Sequence, residues 1–267
     1  MLQKIISVAL LVSSISASCL HGTSLVPRRL TERADSVEVS TFGYTGARGP
    51  LKWHTLDSAN AKCKTGRNQS PINIDSSIKV ASETPVIKIP NVQSAEFENL
   101  GSTLEVIVNG TTTVGGTTFD LAQYHLHTPS EHRINEEYFP LEMHMVHEAA
   151  DGSGFTVLGL LFELTTDGST TELLTATTKN LAEVDTPGAI TETGALNFSP
   201  LIKHFTSNPI LSYTGSLTTP PCSEGINWLV SQKPMPINVA TFNALKDVMK
   251  FNSRYTQNTL GQTNLLE

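Results

Sequence analysis

Five of the eight histidines in this 267-residue chain lie between Gln123 and His147. They fall in two alternating segments, Gln123-Tyr124-His125-Leu126-His127 and Glu142-Met143-His144-Met145-Val146-His147, with His132 between them. On a β-strand, residues i and i+2 point to one face, so the imidazoles of His125 and His127 would share it. A turn between the segments would bring His144 alongside from the neighbouring strand. Three neutral imidazoles converging from adjacent strands form a zinc donor set, and an open fourth position makes such a site catalytic rather than structural. A single His-x-His is often an accident of a strand. Here the density of histidine favours a metal, as do Tyr124, Leu126, Met143 and Met145, whose alternate positions would pack on the opposite face and hold the ligands rigid.

The length suits one large β-rich domain. A net charge of −7 argues against nucleic acid or an anionic membrane as partner, and no apolar run reaches transmembrane length. At the N-terminus, Lys4 precedes the apolar run 5–12, and Ser16-Ala17-Ser18 follows with small residues. This order is that of a secretory signal peptide over residues 1–18. Residues 19–40, with Pro27-Arg28-Arg29, read as a flexible arm or propeptide, and 41–267 as the folded domain. That domain keeps Cys63 and Cys222, and two cysteines in a secreted chain are expected to pair, closing a loop of about 160 residues.

Residues 41–75 read as loop-rich. Pro85 to Ile89 reads as a short strand, and Leu104 to Val108 as another, ended by a tight hairpin turn at Asn109-Gly110. Asn109-Gly110-Thr111 is also a glycosylation sequon, suited to an exposed hairpin tip. The sequons at Asn68 and Asn197 are followed by proline, which is expected to hinder glycan addition. Phe155 to Leu164 is apolar enough for a central strand. Ser169 and Glu172 form a capping-box pattern before a helix, Asn227 to Ser231 reads as a strand, and Asn238 can cap a helix bearing Phe242, Leu245 and Met249. Many strands with two or three short helices point to a β-dominated single domain.

Four blocks in this order give the chain a resemblance to the α-class carbonic anhydrases, over about Phe42 to Gln257. They are Asn68-Gln69-Ser70-Pro71-Ile72-Asn73-Ile74, then Gln123 to His127 with Ser130-Glu131-His132, then Glu142 to His147, then Ser216-Leu217-Thr218-Thr219-Pro220-Pro221-Cys222. The resemblance implies a mainly β (α+β) single domain around a large, mostly antiparallel twisted sheet with a few short surface helices. It implies that Zn²⁺ is held by His125, His127 and His144, and that carbon dioxide is reversibly hydrated to bicarbonate by hydroxide on the zinc, with a secondary esterase activity. Thr218 would orient that hydroxide and donate to Glu131. Gln123 and Glu142 would support His125 and His144, and Asn252 would supply a backbone contact to His127. Val146, Val157, Leu217 and Trp228 would form an apolar wall for CO₂. Thr219 would lie near bicarbonate, Tyr44 would order cavity water, and His132 would be structural. His147, His54, His21 and His204 receive no ligand role. Cys63 and Cys222 fall where secreted members form their disulfide. Sulfonamide or anion inhibitors are implied ligands, and a homodimer is admitted beside a monomer.

The chain departs from the family's fast members at one place. In Asn99-Leu100-Gly101-Ser102 the proton-shuttle histidine is replaced by Ser102, which has no group able to accept a proton near neutral pH. The main competing reading is a cupin, because His125-x-His127-x₃-Glu131 fits its first motif. Gly194, Pro200, His204 and Asn208 echo the second motif only with wrong spacing, and the blocks at Glu142–His147 and Thr218–Pro221 stay unexplained. A non-enzymatic binding domain on the same fold would be expected to lose zinc histidines, which this chain keeps.

Overall fold

The computed structural model describes residues 36–267. The expected signal peptide, most of the expected arm and His21 lie outside the described residues. The strands are β1 (Asn73–Ile74), β2 (Lys79–Val80), β3 (Val86–Lys88), β4 (Glu96–Asn99), β5 (Leu104–Val114), β6 (Thr117–His127), β7 (Arg133–Ile134), β8 (Glu137–Tyr138), β9 (Leu141–Ala149), β10 (Phe155–Leu164), β11 (Ile190–Glu192), β12 (Ile210–Ser216), β13 (Glu224–Ser231) and β14 (Met235–Ile237). The α-helices are α1 (Trp53–Leu56), α2 (Lys62–Thr65), α3 (Glu172–Thr177), α4 (Ser199–Ser207) and α5 (Val239–Met249).

Among the described residues, eleven strands make one sheet in the order β11-β4-β5-β6-β9-β10-β13-β12-β2, with β3 beside β5 and β14 beside β10. Only β10–β13 and β10–β14 pair in parallel within it; the other pairs are antiparallel. The fold is the mainly β architecture expected. β10 is apolar through most of its length because it is central and covered on both faces.

Alternation sorts the central strands. Tyr124 and Leu126 of β6, Met143 and Met145 of β9, and Leu158 and Leu160 of β10 enter the larger core on one face, which α3, α4 and α5 help to cover. The opposite face carries His125, His127 and His144, flanked by a second cluster containing Val146, Val157, Leu217 and Trp228. His125 stands directly across from His144, and His144 from Gly159. A Cβ on Gly159 would meet Val230 at 3.2 Å and Glu142 Oε1 at 3.4 Å, so glycine leaves room for the residues supporting His144.

Three local expectations change. Asn109-Gly110 is not a hairpin turn. It lies inside β5, where the register with β6 shifts between Ile107 and Gly110, a β-bulge. A Cβ on Gly110 would stand 3.0 Å from Lys88 O, so the glycine admits the close approach of β3. The turn falls at Gly115-Gly116, both with positive φ, as a two-residue hairpin requires. Asn109 is exposed, but on a bulge rather than a tip. The capping box is also absent: α3 starts after Thr171, and Ser169 bonds Asp167 instead. Residues 41–75 hold α1, α2 and two 3-10 turns, ordered by a cluster of Phe42, Tyr44, Trp53, Cys63 and Cys222. Asn238 does cap α5, accepting from Thr241 N at 2.8 Å.

Candidate metal centre

The three histidines meet where β6 and β9 run side by side. Each uses one ring nitrogen to donate a hydrogen bond that fixes its tautomer. His125 Nδ1 donates to Gln123 Oε1 (2.9 Å), His127 Nδ1 to the backbone O of Asn252 (2.8 Å), and His144 Nε2 to Glu142 Oε1 (2.8 Å). The nitrogens left over are Nε2, Nε2 and Nδ1. The three side chains each offer a ligand atom within 4.8 Å of the others. His127 Nε2 is buried with no hydrogen-bond partner among the described residues.

Burial disfavours the imidazolium form of all three. It holds His125 well below its ordinary value, pushes His127 down to about 4, and lowers His144. Neutral imidazoles are the form that binds a cation. The donor set therefore fits a borderline-soft divalent ion taking nitrogen ligands. His132, Glu142 and His144 form a second cluster of ligand-type atoms. It is satisfied internally, because His132 Nδ1 donates to Glu142 Oε1 at 2.6 Å beside the His144 bond.

Glu142 is fully buried and accepts four bonds: two imidazole N–H groups on Oε1, and the backbone N–H groups of Glu131 and His132 on Oε2, both at 2.8 Å. Burial alone would raise its pKa, but His132 and His144 outweigh burial and hold the carboxyl well below its usual range. From His132 the chain of bonds continues to Tyr213 (2.7 Å) and Ser70 (2.8 Å), so His132 is a structural link as expected.

Glu131 lies across the site. Its Oε2 is 3.6 Å from His127 Nε2 and 3.9 Å from His144 Nδ1, and Oε1 accepts from Arg254 N at 2.8 Å. Burial pushes Glu131 up to about 7, against His144, the Thr218 hydroxyl and the Arg254 N–H, which all pull it down. Thr218 is thus near the carboxyl, although Oε2 has no hydrogen bond of good geometry. Leu217, Thr218 and Thr219 occupy the turn after β12, tied by Leu217 N to Ser223 O and Cys222 N to Thr219 O. Cys222 is disulfide-bonded to Cys63. The Tyr44 hydroxyl is buried, and Glu131 and Arg254 both act on its ionisation.

Ser102 is buried, and its hydroxyl bonds Ser40 Oγ at 2.6 Å. Residues 37–40, the last of the expected arm, dock here: Ser40 N bonds Leu100 O and Val37 N bonds Gly188 O. The other histidines stand apart. His147 is buried between Thr112 and Met145 O, and His204 contacts Ser231 and Lys233.

Arg254 was not singled out by sequence reading. Its guanidinium is buried and donates to Ser70 O (2.7 Å) and Gln69 Oε1 (3.0 Å), while its backbone holds Glu131. Nothing in the irregular run Asn252-Ser253-Arg254 marks it. Only the folded chain brings it under the disulfide cluster.

The eukaryotic-type carbonic anhydrase family model matches residues 48–264. A carbonic anhydrase of Pectobacterium atrosepticum is 36% identical over 218 residues, covering 81% of this chain and 85% of the relative. Among solved structures, the fungal alpha carbonic anhydrase of Aspergillus oryzae superposes with TM-score 0.82 at 43% identity, covering 84% of this chain and 96% of that one. The alpha carbonic anhydrase of Thermovibrio ammonificans, in complex with the inhibitor sulfanilamide, gives TM-score 0.73 at 32% identity, covering 84% and 97%. Built around three buried, tautomer-fixed histidines and matched along most of its length, the chain belongs to the eukaryotic-type carbonic anhydrase family and is a lyase of the carbonate dehydratase kind.

Proposed function

We propose that this is a secreted zinc enzyme that hydrates CO₂ to bicarbonate and a proton, with His125, His127 and His144 holding the metal. The observation carrying the reading is the convergence of three buried ring nitrogens whose partner nitrogens are each committed to a fixed acceptor. Zinc bound there supplies a Lewis acid able to generate hydroxide from water near neutral pH. The chain's own residues do the rest. Gln123, Glu142 and Asn252 set ring orientation and ligand basicity. Glu131, anchored by Arg254 N, draws the Thr218 hydroxyl proton, leaving the Thr218 oxygen to accept from the nucleophile and so fix its direction. Val146, Val157, Leu217 and Trp228 sit in one apolar cluster, which suits a small uncharged substrate, and Thr219 is next to Thr218 for bicarbonate.

An ionised sulfonamide, the class of inhibitor bound by the Thermovibrio ammonificans relative, would bind at the same place. Esterase activity is a secondary expectation of the same nucleophile. The Cys63–Cys222 bridge is consistent with an oxidising compartment and so with the signal peptide read at 1–18. Asn109 is exposed and can carry a glycan.

The test is stopped-flow CO₂ hydration with zinc content measured on the same sample. We expect one zinc per chain, loss of hydration on chelation and its return on adding zinc. A pure, folded chain that hydrates CO₂ without metal, or binds zinc without hydrating CO₂, would overturn the reading.

A further inference from the structure

β6 is the strand that delivers two of the three histidines, and its end is only half covered. On one side β9 stays in register to His127↔Glu142. On the other side the pairing with β5 stops at Glu105↔His125. The backbone groups of Leu126 and Thr128 that face this side therefore have no strand to bond; the Thr103 hydroxyl donates to Leu126 O (2.5 Å) and accepts from Leu126 N (3.3 Å), which leaves the Thr128 groups and the second lone pair of Leu126 O. Buried backbone polar groups left unpaired are costly, and these two residues bracket His127.

Asn252 fills the rest of the gap. Its Oδ1 accepts from Thr128 N at 2.7 Å, and its Nδ2 donates to Leu126 O at 2.9 Å. Its backbone N donates to Thr128 O (3.1 Å), and its backbone O accepts from His127 Nδ1 (2.8 Å). A carboxamide carries an acceptor and a donor in one plane, as a peptide group does, so this side chain, beside the Thr103 hydroxyl, takes the place of the missing strand, and of the two only the carboxamide reaches both Leu126 and Thr128. The second Nδ2 hydrogen reaches Ser102 O at 3.1 Å. That bond ties the Gly101-Ser102 turn, and with it the Ser40–Ser102 contact, to the same residue. Asn252 is itself buried and follows α5 through Lys250, whose φ of 58° is uncommon for a residue with a Cβ.

We propose that the Asn252 carboxamide, and not only its backbone carbonyl, is the positioning group for His127: it clamps the strand end on both sides of the ligand and couples that clamp to the turn carrying Ser102. Only a primary amide of this length makes all three side-chain bonds. Aspartate keeps the shape but loses both donations and sets a negative charge against the Leu126 and Ser102 carbonyls. Alanine removes the clamp and leaves the backbone carbonyl facing His127.

The test uses the full enzyme with Asn252→Asp and Asn252→Ala. Two readouts follow the metal rather than activity: the rate of zinc loss to an excess of chelator, and the visible absorption bands of the cobalt(II)-substituted protein. We expect zinc loss about 10–100-fold faster in both variants, in line with the usual effect of removing a group that orients a ligand, together with altered cobalt bands. Asparagine acting only through its backbone, or only as a fold-stabilising residue, predicts unchanged zinc loss and unchanged bands in Asn252→Ala, and that result overturns the proposal. If neither variant folds, the wild type decides. By reciprocity of coupling, zinc loading should slow deuterium exchange of the Asn252 side-chain NH₂, and equal exchange with and without zinc refutes the clamp. The inference rests on the zinc reading, and the two fail differently. A wild type that takes up neither zinc nor cobalt ends both, whereas a metal-loaded wild type matched by its variants ends this one alone.

Discussion

Glu142→Gln removes one charge and no volume, and the structure dictates how the protein must respond. The new amide has one oxygen and one NH₂ to serve two imidazole N–H groups and two backbone N–H groups. The backbone donors of Glu131 and His132 cannot change, so the oxygen must face them. The NH₂ then faces His132 and His144, and both rings can adapt by moving their proton to the other nitrogen. For His132 this still allows a bond to Tyr213. For His144 it places the proton on Nδ1, the atom offered to the metal. Folding of the metal-free protein should weaken, although every bond is remade, because a carboxylate held well below its usual range is replaced by a neutral amide. Metal binding should also suffer, since His144 must return to its original tautomer and set its N–H against an amide N–H. Losing one hydrogen bond to a charged group costs about 1.5–3 kcal/mol, equivalent to roughly a 10–150-fold weaker zinc affinity. Chelator competition measures the affinity, and urea unfolding of the metal-free form measures stability. A zinc affinity within about twofold of wild type would refute the tautomer argument.

Four further outcomes are expected. Burial pushes His147 down to about 4, below the ~6.5 of an unfolded histidine. The unfolded chain then binds a proton that the folded chain does not, so stability falls as pH drops from ~6.5 towards ~4, by about 2 kcal/mol between pH 7 and 5. Urea unfolding of His147→Gln should show a smaller drop over that interval, and an equal drop would show that His147 does not carry it. Thr218→Val should lower kcat/KM for hydration by roughly 100-fold and weaken sulfonamide binding, whereas unchanged inhibitor affinity would remove Thr218 from the site. Wild-type kcat should rise with small imidazole buffers, since Ser102 cannot carry the proton. Ser102→His alone should gain at most about tenfold in weak buffer, because the ring must displace Ser40, and it should leave kcat/KM unchanged; a wild type insensitive to buffer would contradict this. Replacing Cys63 and Cys222 with serine should cost up to about 5 kcal/mol, the chain-entropy value for a loop this long, and a loss below ~1 kcal/mol in urea would set that account aside.

The sheet's centre was legible because alternation and burial coincide there. Tyr124, Leu126, Met143 and Met145 announce which face is core, so the histidines between them had only one place to point. The helix after Asn238 was equally plain from its cap. Asn109-Gly110 misled because the same dipeptide serves a hairpin turn and a bulge, and only the approach of β3 tells them apart. α4 was missed although Ser199-Pro200 and the Leu201, Phe205 pair mark it; nine residues give a weak period. The closure of Ser102 by Ser40 and the side-chain bonds of Asn252 are contacts across 62 and up to 150 residues. No local pattern encodes contacts of that span.

The support of His127 by Asn252 spans 125 residues of chain, which sets an order of events during synthesis. A ribosome adding ~5–20 residues per second releases the histidines roughly 6–25 s before Asn252. For that interval neither the carbonyl that sets one tautomer nor the Arg254 anchor of Glu131 yet exists, and the Thr218 turn is made only in its later part. Cys63 likewise waits for Cys222. The histidines are therefore made before two of the groups that orient them, and the supports at Asn252 and Arg254 form only when that segment docks. A metal site of the kind proposed would gain its full support only after that segment has been made and docked.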